Sequence, residues 1–243
     1  MNGAIDRDAF AAAIERDGFA LRADVVDDAT ITAVLAACQS AAEHTIARQG
    51  RVYARRNLLE LAEVRRLAES QSLRPLVETV LGPSACVVRA LLFDKVPGAN
   101  WHVGWHQDLI IPVQERTDVP GFGPWTVKAG QPHVKPPTEV LTKMLTLRVH
   151  LDDAPLENGP LKLIPGSHRH GELEANEVKQ RIEERLPFVA ACARGSVLAM
   201  RPLTLHASSP ADQVSHRRVL HLEYAGGALP SGLRWASGEP FSP

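Results

Sequence analysis

The sequence predicts an α+β fold in which helices come first and a β-sandwich or barrel follows. Two features of the 243-residue chain indicate this fold. Residues 1–83 carry apolar side chains at helical spacing, whereas residues 84–226 carry short alternating or β-branched runs between turn residues. The sequence contains no Gly/Ser linker and no internal repeat, so we predict one domain over residues 1–243.

Helix signals dominate the first part, which we expect to be mainly helical. Asp6 is a candidate cap for the first helix, and glycines at 18, 50 and 82 close the three apolar patterns. Pro83 follows the last of these glycines and cannot continue a helix. The predicted helices cover residues 6–18, 27–50 and 69–82.

Strand signals begin near residue 84 and recur at short spacing. The strand-like segments are "ACVVRALLFDKV", "MLTLRVHLDD", "GPLKLIPGSH", "GSVLAMRPLTLHASS" and "HRRVLHLEYA". In "MLTLRVHLDD" the alternation places Arg148, His150 and Asp152 on the face opposite the apolar residues. That face either meets solvent or lines a wet cavity.

Residues 110–139 interrupt this strand pattern with many prolines and glycines. A long irregular segment of this kind is either functional or a surface insertion. Because it directly follows "GWHQDL" and contains Lys128 and His133, we predict a lid-like loop over a polar substrate.

Composition excludes several classes of protein. Acidic and basic residues nearly balance, 28 against 27, which argues against a nucleic-acid-binding surface. No apolar run approaches the roughly 20 residues that span a bilayer, and the first residues lack the pattern of a signal peptide. Three dispersed cysteines form no CxxC motif. We therefore expect a cytoplasmic protein without a membrane partner, of undetermined oligomeric state.

The segment "GWHQDL" places His106 and Asp108 two residues apart, on one side of a strand. His206 follows 100 residues later in "LTLHASS", another strand-like segment. Two histidines and one carboxylate form the facial triad of non-haem Fe(II) oxygenases. Arg217 stands eleven residues after His206 and presents a guanidinium suited to a carboxylate. Together these residues predict an iron site.

Other histidine pairs compete with this assignment. His150 and Asp152 form a second HxD, but too few strands separate them from His206 for a jelly roll, so His106 and Asp108 are favoured. His168 and His170 follow a Pro-Gly turn and are predicted to lie in an exposed loop. We leave open whether His102, near the favoured pair, supports the metal ligands or is merely solvated.

At this point the chain resembles the phytanoyl-CoA dioxygenase family of Fe(II)/2-oxoglutarate oxygenases. The resemblance covers roughly residues 84–224 and rests on "WHQD" at 105–108, "NGPLKLIPGSHRHG" at 158–171 and "LHASSPADQVSHRR" at 205–218. It implies a double-stranded β-helix, the cupin-like jelly roll, with N-terminal helices packed on one sheet. It also implies a reaction in which O2 decarboxylates 2-oxoglutarate to succinate and CO2 while a substrate is oxidised.

The resemblance assigns roles to individual residues. His106, Asp108 and His206 would bind Fe(II), and Arg217 and Ser208 would bind 2-oxoglutarate. The family also tends to place an early basic residue in the cosubstrate pocket, which points to Arg55 or Arg56, with Arg55 favoured. Related halogenases have a small residue at the carboxylate position, so the aspartate favours hydroxylation or another oxidation.

The expected function is hydroxylation of a small polar or anionic molecule. Arg148, Lys128 and His133 are candidate substrate contacts, and Trp101 is a candidate aromatic wall of the pocket. Arg148 fits a structural ion pair equally well, and the tryptophan fits plain packing. Two other functions stay open: a cupin-like metalloenzyme that does not use 2-oxoglutarate, and a non-catalytic ligand-binding relative.

Overall fold

The helices and strands of the computed structural model form a mixed α/β fold with antiparallel sheets. The structure describes residues 6–41, 45–48, 51–95, 100–212 and 215–237. The helices are α1 (Arg7–Asp17), α2 (Asp28–Ser40), α3 (Ala62–Ala68), α4 (Arg74–Leu81), α5 (Thr138–Leu141) and α6 (Ala175–Glu184), with 3-10 turns at Leu58–Glu60, Leu156–Asn158 and Ser167–His170.

Most strands lie after residue 85. They are β1 (Phe19–Arg22), β2 (Thr45–Arg48), β3 (Arg51–Arg55), β4 (Cys86–Lys95), β5 (Val103–His106), β6 (Ile111–Pro112), β7 (Trp125–Lys128), β8 (Gln131–Val134), β9 (Met144–His150), β10 (Leu161–Leu163), β11 (Phe188–Val189), β12 (Val197–Met200), β13 (His206–Ser208) and β14 (Arg217–Ala225).

The local signals that predicted the first and third helices are confirmed. Asp6 caps α1, because its side chain accepts a hydrogen bond from the Ala9 N–H. Gly18 ends the helix with φ 85°, a left-handed conformation that costs glycine little. Gly82 likewise ends α4, whose first turn contains Pro75.

The prediction of a single helix over 27–50 is wrong at residues 45–48, which form β2, whereas residues 42–44, 49 and 50 lie outside the described residues. Helix α2 ends at Ser40, and β2 pairs with β3 as an antiparallel hairpin. Strand β3 also pairs with β4 at the edge of the large sheet. Pairing between distant segments therefore overrides the helical spacing of the alanines, which is a weak preference.

The segment 110–139 is also more ordered than its prolines and glycines predict. Strands β6, β8 and β7 form a three-stranded antiparallel sheet within it. The expectation of an irregular loop is therefore corrected where these strands pair, because cross-strand hydrogen bonds outweigh the poor local propensity. A role of this segment as a lid over a substrate stays a prediction.

Two larger sheets organise the rest of the chain. The seven-stranded sheet has the order β1-β12-β9-β14-β4-β3-β2, and the four-stranded sheet has the order β11-β10-β13-β5. One face of the large sheet contributes Leu145, Leu147 and Val149 to a core that also contains residues of α1 to α4. Each buried side chain of this size contributes about 1.5–3 kcal/mol.

The opposite face of the large sheet carries polar side chains. In β9, Arg148 and His150 alternate with the apolar residues that pack in the core. Strand β14 runs antiparallel to β4, and the cross-strand partners are Arg217 and Lys95 at one end. This face lines the cavity described below. No helix in the described ranges is long and apolar enough to cross a membrane.

Candidate metal centre and its cavity

Antiparallel pairing of β5 and β13 brings together the two distant histidines of the predicted iron site. His106 and His206 are direct partners in the register, and their ring centroids are 4.2 Å apart. Asp108 lies just past the end of β5, where its N–H donates a hydrogen bond to the Pro202 carbonyl. One ligand atom from each of the three side chains lies within 4.8 Å of the others.

Backbone carbonyls fix the orientation of both imidazole rings. The Nδ1 of His106 lies 2.9 Å from the Gly104 carbonyl, and the Nδ1 of His206 lies 2.8 Å from the Thr204 carbonyl. A ring that donates from Nδ1 keeps the lone pair on Nε2 available for a metal. The two Nε2 atoms lie 3.8 and 3.6 Å from the Asp108 carboxylate.

The charge states of these groups suit a divalent cation. Burial lowers the pKa of His206 to about 4, so its ring is neutral near pH 7. Burial acts to raise the pKa of Asp108, but His206, His221 and other neighbours outweigh it and lower that pKa to about 2. The Oδ2 of Asp108 is buried without a hydrogen-bond partner. An ionised carboxylate oxygen with unused lone pairs, beside the neutral imidazole of His206, fits a metal ion.

Gln107, the residue between the candidate ligands His106 and Asp108, holds this short segment in place. Its Nε2 donates to the carbonyls of Gly171 and Leu203, at 2.8 and 2.7 Å. Its Oε1 accepts a hydrogen bond of 2.8 Å from the Leu173 N–H. Because this side chain is buried, the three bonds tie the metal segment to two other parts of the fold.

A cavity of about 290 Å³ opens from this centre between the two larger sheets. At one end Lys95 and Arg217 are buried side by side, with 2% and 7% of their surfaces exposed. The Lys95 Nζ donates to the Ser208 hydroxyl at 2.8 Å, and the Arg217 Nη1 donates to the Gly159 carbonyl at 2.6 Å. Both hydrogen bonds have neutral partners, so two adjacent cations keep charge for a bound anion.

Burial, together with the nearby Arg217 and Arg148, lowers the pKa of Lys95 to about 7. The sequence interpretation missed this lysine. The signal was the alternation of "RALLFDK", which places Arg89, Leu91, Phe93 and Lys95 on one side of β4. This alternation could not identify Lys95 as a site residue, because the sequence does not show which side of β4 faces the cavity.

Only some of the predicted substrate contacts line this cavity. Arg148 lines the cavity, and its Nη1 lies 3.0 Å from the Nδ1 of His221. Trp101 also lines the cavity, but its ring centroid lies 5.7 Å from the Lys95 Nζ, at the end of the cavity that contains Lys95 and Arg217. His133 instead lines a neighbouring cavity, and neither it nor Lys128 lines this one, so their contact with a substrate stays a prediction.

The preference for Arg55 over Arg56 is wrong. Arg55 pairs with Leu92 across β3 and β4, which directs it to the face opposite the cavity, where it donates to the Ala41 carbonyl. Arg56 lines the cavity, near Arg89 and away from Lys95 and Arg217. The alternation of side chains along β3 therefore excludes Arg55.

The rival histidine pairs do not assemble a second centre. His150 is buried with both ring nitrogens unpartnered, whereas Asp152 forms a 2.6 Å ion pair with Arg218. His168 and His170 lie in the 3-10 turn at Ser167–His170, and His102 is exposed just before β5. Across the described ranges, no other group of three His, Cys, Asp or Glu side chains places its ligand atoms this close together.

Comparisons with known proteins agree with this geometry. A model of the phytanoyl-CoA dioxygenase (PhyH) family matches residues 14–219. AviO1 from Streptomyces viridochromogenes Tue57 has a similar structure, with a TM-score of 0.66 and 24% identity over 95% of this chain and 99% of that one. No curated protein matches the sequence.

Two further solved structures have a similar fold. One contains bound ligands, and the other is an epimerase. EctD from S. alaskensis, solved with 2-oxoglutarate and 5-hydroxyectoine, has a TM-score of 0.70 and 19% identity over 93% of this chain and 78% of that one. The non-heme alpha ketoglutarate dependent epimerase SnoN from nogalamycin biosynthesis has a TM-score of 0.66 and 18% identity over 97% and 92% of the two chains. At these identities the likeness concerns the fold alone.

Proposed function

The chain belongs to the phytanoyl-CoA dioxygenase family, and from that premise we propose that it is an Fe(II)/2-oxoglutarate-dependent oxygenase that hydroxylates a small polar or anionic molecule. One observation carries the proposal. Three candidate metal ligands converge within 4.8 Å in the same cavity as the buried Lys95 and Arg217. A metal site beside a cation pair is the arrangement that a carboxylate cosubstrate requires.

In this proposal His106 and His206 hold the metal through Nε2, and Asp108 holds it through a carboxylate oxygen. Arg217, Lys95 and the Ser208 hydroxyl bind the distal carboxylate of 2-oxoglutarate. Bound iron, 2-oxoglutarate and O2 would together supply the oxidation, with 2-oxoglutarate decarboxylated to succinate and CO2.

The remaining residues bind and orient the reactants. Arg148 keeps a fixed position because His221 accepts its hydrogen bond, and it therefore presents a guanidinium to the centre of the cavity. The apolar side chains of Leu91, Phe93 and Val219 restrict water between the two ends of the cavity.

We also propose that the two larger sheets form the double-stranded β-helix expected from the sequence. The metal histidines lie on strands of the four-stranded sheet, whereas Lys95 and Arg217 lie on strands of the seven-stranded sheet. Two facing sheets with the site between them are typical of a jelly roll. The helical core on the outer face of the large sheet supports the same arrangement.

Hydroxylation is our proposal for the outcome of the reaction, although the fold also serves other oxidations. SnoN is an epimerase, whereas EctD was solved with a hydroxylated compound. The carboxylate of Asp108 in the ligand set supports hydroxylation over halogenation. A single domain and a cytoplasmic location also remain predictions.

The direct test is an anaerobic titration of the metal-free protein with Fe(II) and then 2-oxoglutarate, following the visible charge-transfer band. We expect a band that is absent in His106→Ala and requires far more 2-oxoglutarate in Arg217→Ala. His102→Ala is the matched control for the first variant, because His102 is an exposed histidine beside the same strand. Arg218→Ala is the control for the second, because Arg218 pairs with Asp152 instead.

The other outcomes identify the alternative functions. Bound iron without a band on adding 2-oxoglutarate would indicate a metalloenzyme that does not use this cosubstrate. No bound iron would indicate a ligand-binding relative without this chemistry.

A further inference from the structure

We propose that the end of the cavity formed by Arg56, Arg89 and Glu223 is a subsite for the anionic group of the substrate, a carboxylate, sulfate or phosphate. This inference rests on the proposed function, because it takes the opposite end of the same cavity as the cosubstrate site.

The register of β4 and β14 separates the two ends. Along β14 the side chains that line the cavity are Arg217, Val219, His221 and Glu223, and their partners on β4 are Lys95, Phe93, Leu91 and Arg89. Six residues of strand between the first row and the last correspond to about 20 Å. Lys95 and Arg217 are therefore too far away to neutralise, or to share, an anion held at Arg89.

Positive charge exceeds negative charge at the distal end. Arg89 forms a 3.1 Å ion pair with Glu223, which balances one cation. The Nη1 of Arg56 is buried and has no hydrogen-bond partner. A buried donor without a partner is costly, and a bound anion would satisfy it.

The geometry of Arg89 leaves room for such a ligand. Its hydrogen bonds within the described residues, to Glu223 and to the Ile110 carbonyl, all use Nη1. Glu223 is held in turn by the His221 Nε2 at 3.1 Å. The carboxylate therefore fixes the guanidinium from one side, and the remaining N–H groups can bind an anion together with Arg56.

The position of this subsite defines the class of substrate. His221, which lines the same cavity as Asp108 of the metal centre, is one two-residue step, about 7 Å, from Glu223 along β14. Leu91 and Phe93 line the wall over this step and the next. The substrate is a small organic anion whose carbon skeleton contacts these apolar side chains while its charged group binds Arg56 and Arg89.

The test measures anion binding by calorimetry in the full-length protein, saturated with Fe(II) and 2-oxoglutarate without oxygen, at constant ionic strength. The probes are benzoate, phenyl phosphate and the uncharged benzamide, so the two anions distinguish a carboxylate from a phosphate ligand. Arg56→Gln is the main variant, because it removes a charge without breaking an ion pair. Arg66→Gln, an exposed arginine on α3, is the matched control.

We expect at least one anion to bind the wild-type protein, and Arg56→Gln to weaken that binding by about ten-fold or more. Benzamide should bind weakly to both, and Arg66→Gln should match the wild type. Glu223→Gln should bind the anion more tightly than the wild type, because it removes the competing negative charge. This increase in affinity is an effect that mere loss of structure would not produce.

Three results would overturn the inference: neither anion binds, Arg56→Gln leaves the affinity unchanged, or the anion competes with 2-oxoglutarate. The 2-oxoglutarate titration of Arg56→Gln separates this failure from failure of the proposed function. If 2-oxoglutarate binds normally while anion binding is insensitive to Arg56, only the inference is wrong. If the wild type binds no 2-oxoglutarate, the proposed function fails, and the same probes tested on the metal-free protein still decide whether Arg56 binds an anion.

Discussion

Backbone carbonyls orient individual side chains at the candidate metal centre. The Nδ1 atoms of His106 and His206 face carbonyls two residues earlier in the chain, so both rings present Nε2 to Asp108. Because the carboxylate completes the set of three ligand atoms, it is the residue whose loss should affect metal binding most directly.

Asp108→Ala should weaken Fe(II) binding by about 100-fold or more and abolish substrate oxidation, because two imidazoles alone hold the ion poorly. The fold should remain intact, since the lost carboxylate supports the metal and not the core. Calorimetry with Fe(II) under anaerobic conditions measures the first effect, and circular dichroism measures the second. Asp118→Ala, at an exposed position, is the control, and equal iron affinity in both variants would contradict the ligand assignment.

Lys95 should make 2-oxoglutarate binding dependent on pH. Its pKa is lowered to about 7 by burial and by Arg217 and Arg148, so the empty pocket loses this charge above pH 7. A bound carboxylate favours the protonated form and raises the pKa, so binding takes up a proton. The affinity for 2-oxoglutarate should therefore fall as pH rises above 7, by at most about ten-fold per pH unit.

Dissociation constants measured between pH 6.5 and 9 test this prediction. Lys95→Arg keeps its charge throughout that range and should bind 2-oxoglutarate with little change in affinity. The same pH dependence in Lys95→Arg and the wild type would assign the effect to another group.

Among the elements of the fold, the loop after β5 is held in place by one of its own side chains, that of Gln107. Gln107 connects this loop to Gly171, Leu173 and Leu203 through three hydrogen bonds. The loop carries Asp108, so the position of the carboxylate depends on these bonds.

Gln107→Ala should lower the free energy of unfolding by roughly 2–3 kcal/mol, because it leaves the buried Leu173 N–H without its partner. It should also weaken iron binding, since the Asp108 carboxylate loses its fixed position. Denaturant unfolding and iron titration measure the two effects. Gln114→Ala, at an exposed position, is the control. If Gln107→Ala were as stable as the wild type, the three hydrogen bonds of Gln107 would not stabilise the fold.

The whole molecule is organised around the space between the two larger sheets. Ser208 lies on β13 of the four-stranded sheet, whereas Lys95 and Arg217 lie on adjacent strands of the seven-stranded sheet. A cosubstrate held by these three residues would therefore connect both sheets and stabilise the folded state as a unit.

Metal and 2-oxoglutarate should accordingly raise the unfolding temperature. At 100 times its dissociation constant, 2-oxoglutarate should add about 2.7 kcal/mol, or about 5–10 °C in a domain of this size. Differential scanning fluorimetry with Mn²⁺, which replaces Fe(II) in air, measures the increment. Arg217→Ala should lose the 2-oxoglutarate increment and keep the metal increment, whereas Arg218→Ala should keep both. Loss of the metal increment alone in Arg217→Ala would contradict its role.

The sequence was sufficient for features that depend on local pattern or on residue identity. Capping signals predicted α1 and α4. The resemblance of "WHQD", "NGPLKLIPGSHRHG" and "LHASSPADQVSHRR" to the family predicted membership, which the match over residues 14–219 confirms. The pairing of His106 with His206 brings the predicted ligands together, while their role in binding iron stays a prediction.

Features that depend on distant pairing were decided only by the tertiary structure. Helical spacing predicted a continuous helix to Gly50, but the edge of the large sheet is completed there by β2 and β3. Arg55 and Arg56 are equivalent as sequence, and only the pairing of β3 with β4 shows which of them faces the cavity. Lys95 enters the site for the same reason. A sequence records which residues alternate, but the sheet register determines which alternating face is enclosed, and that register is fixed by contacts between residues far apart in the chain.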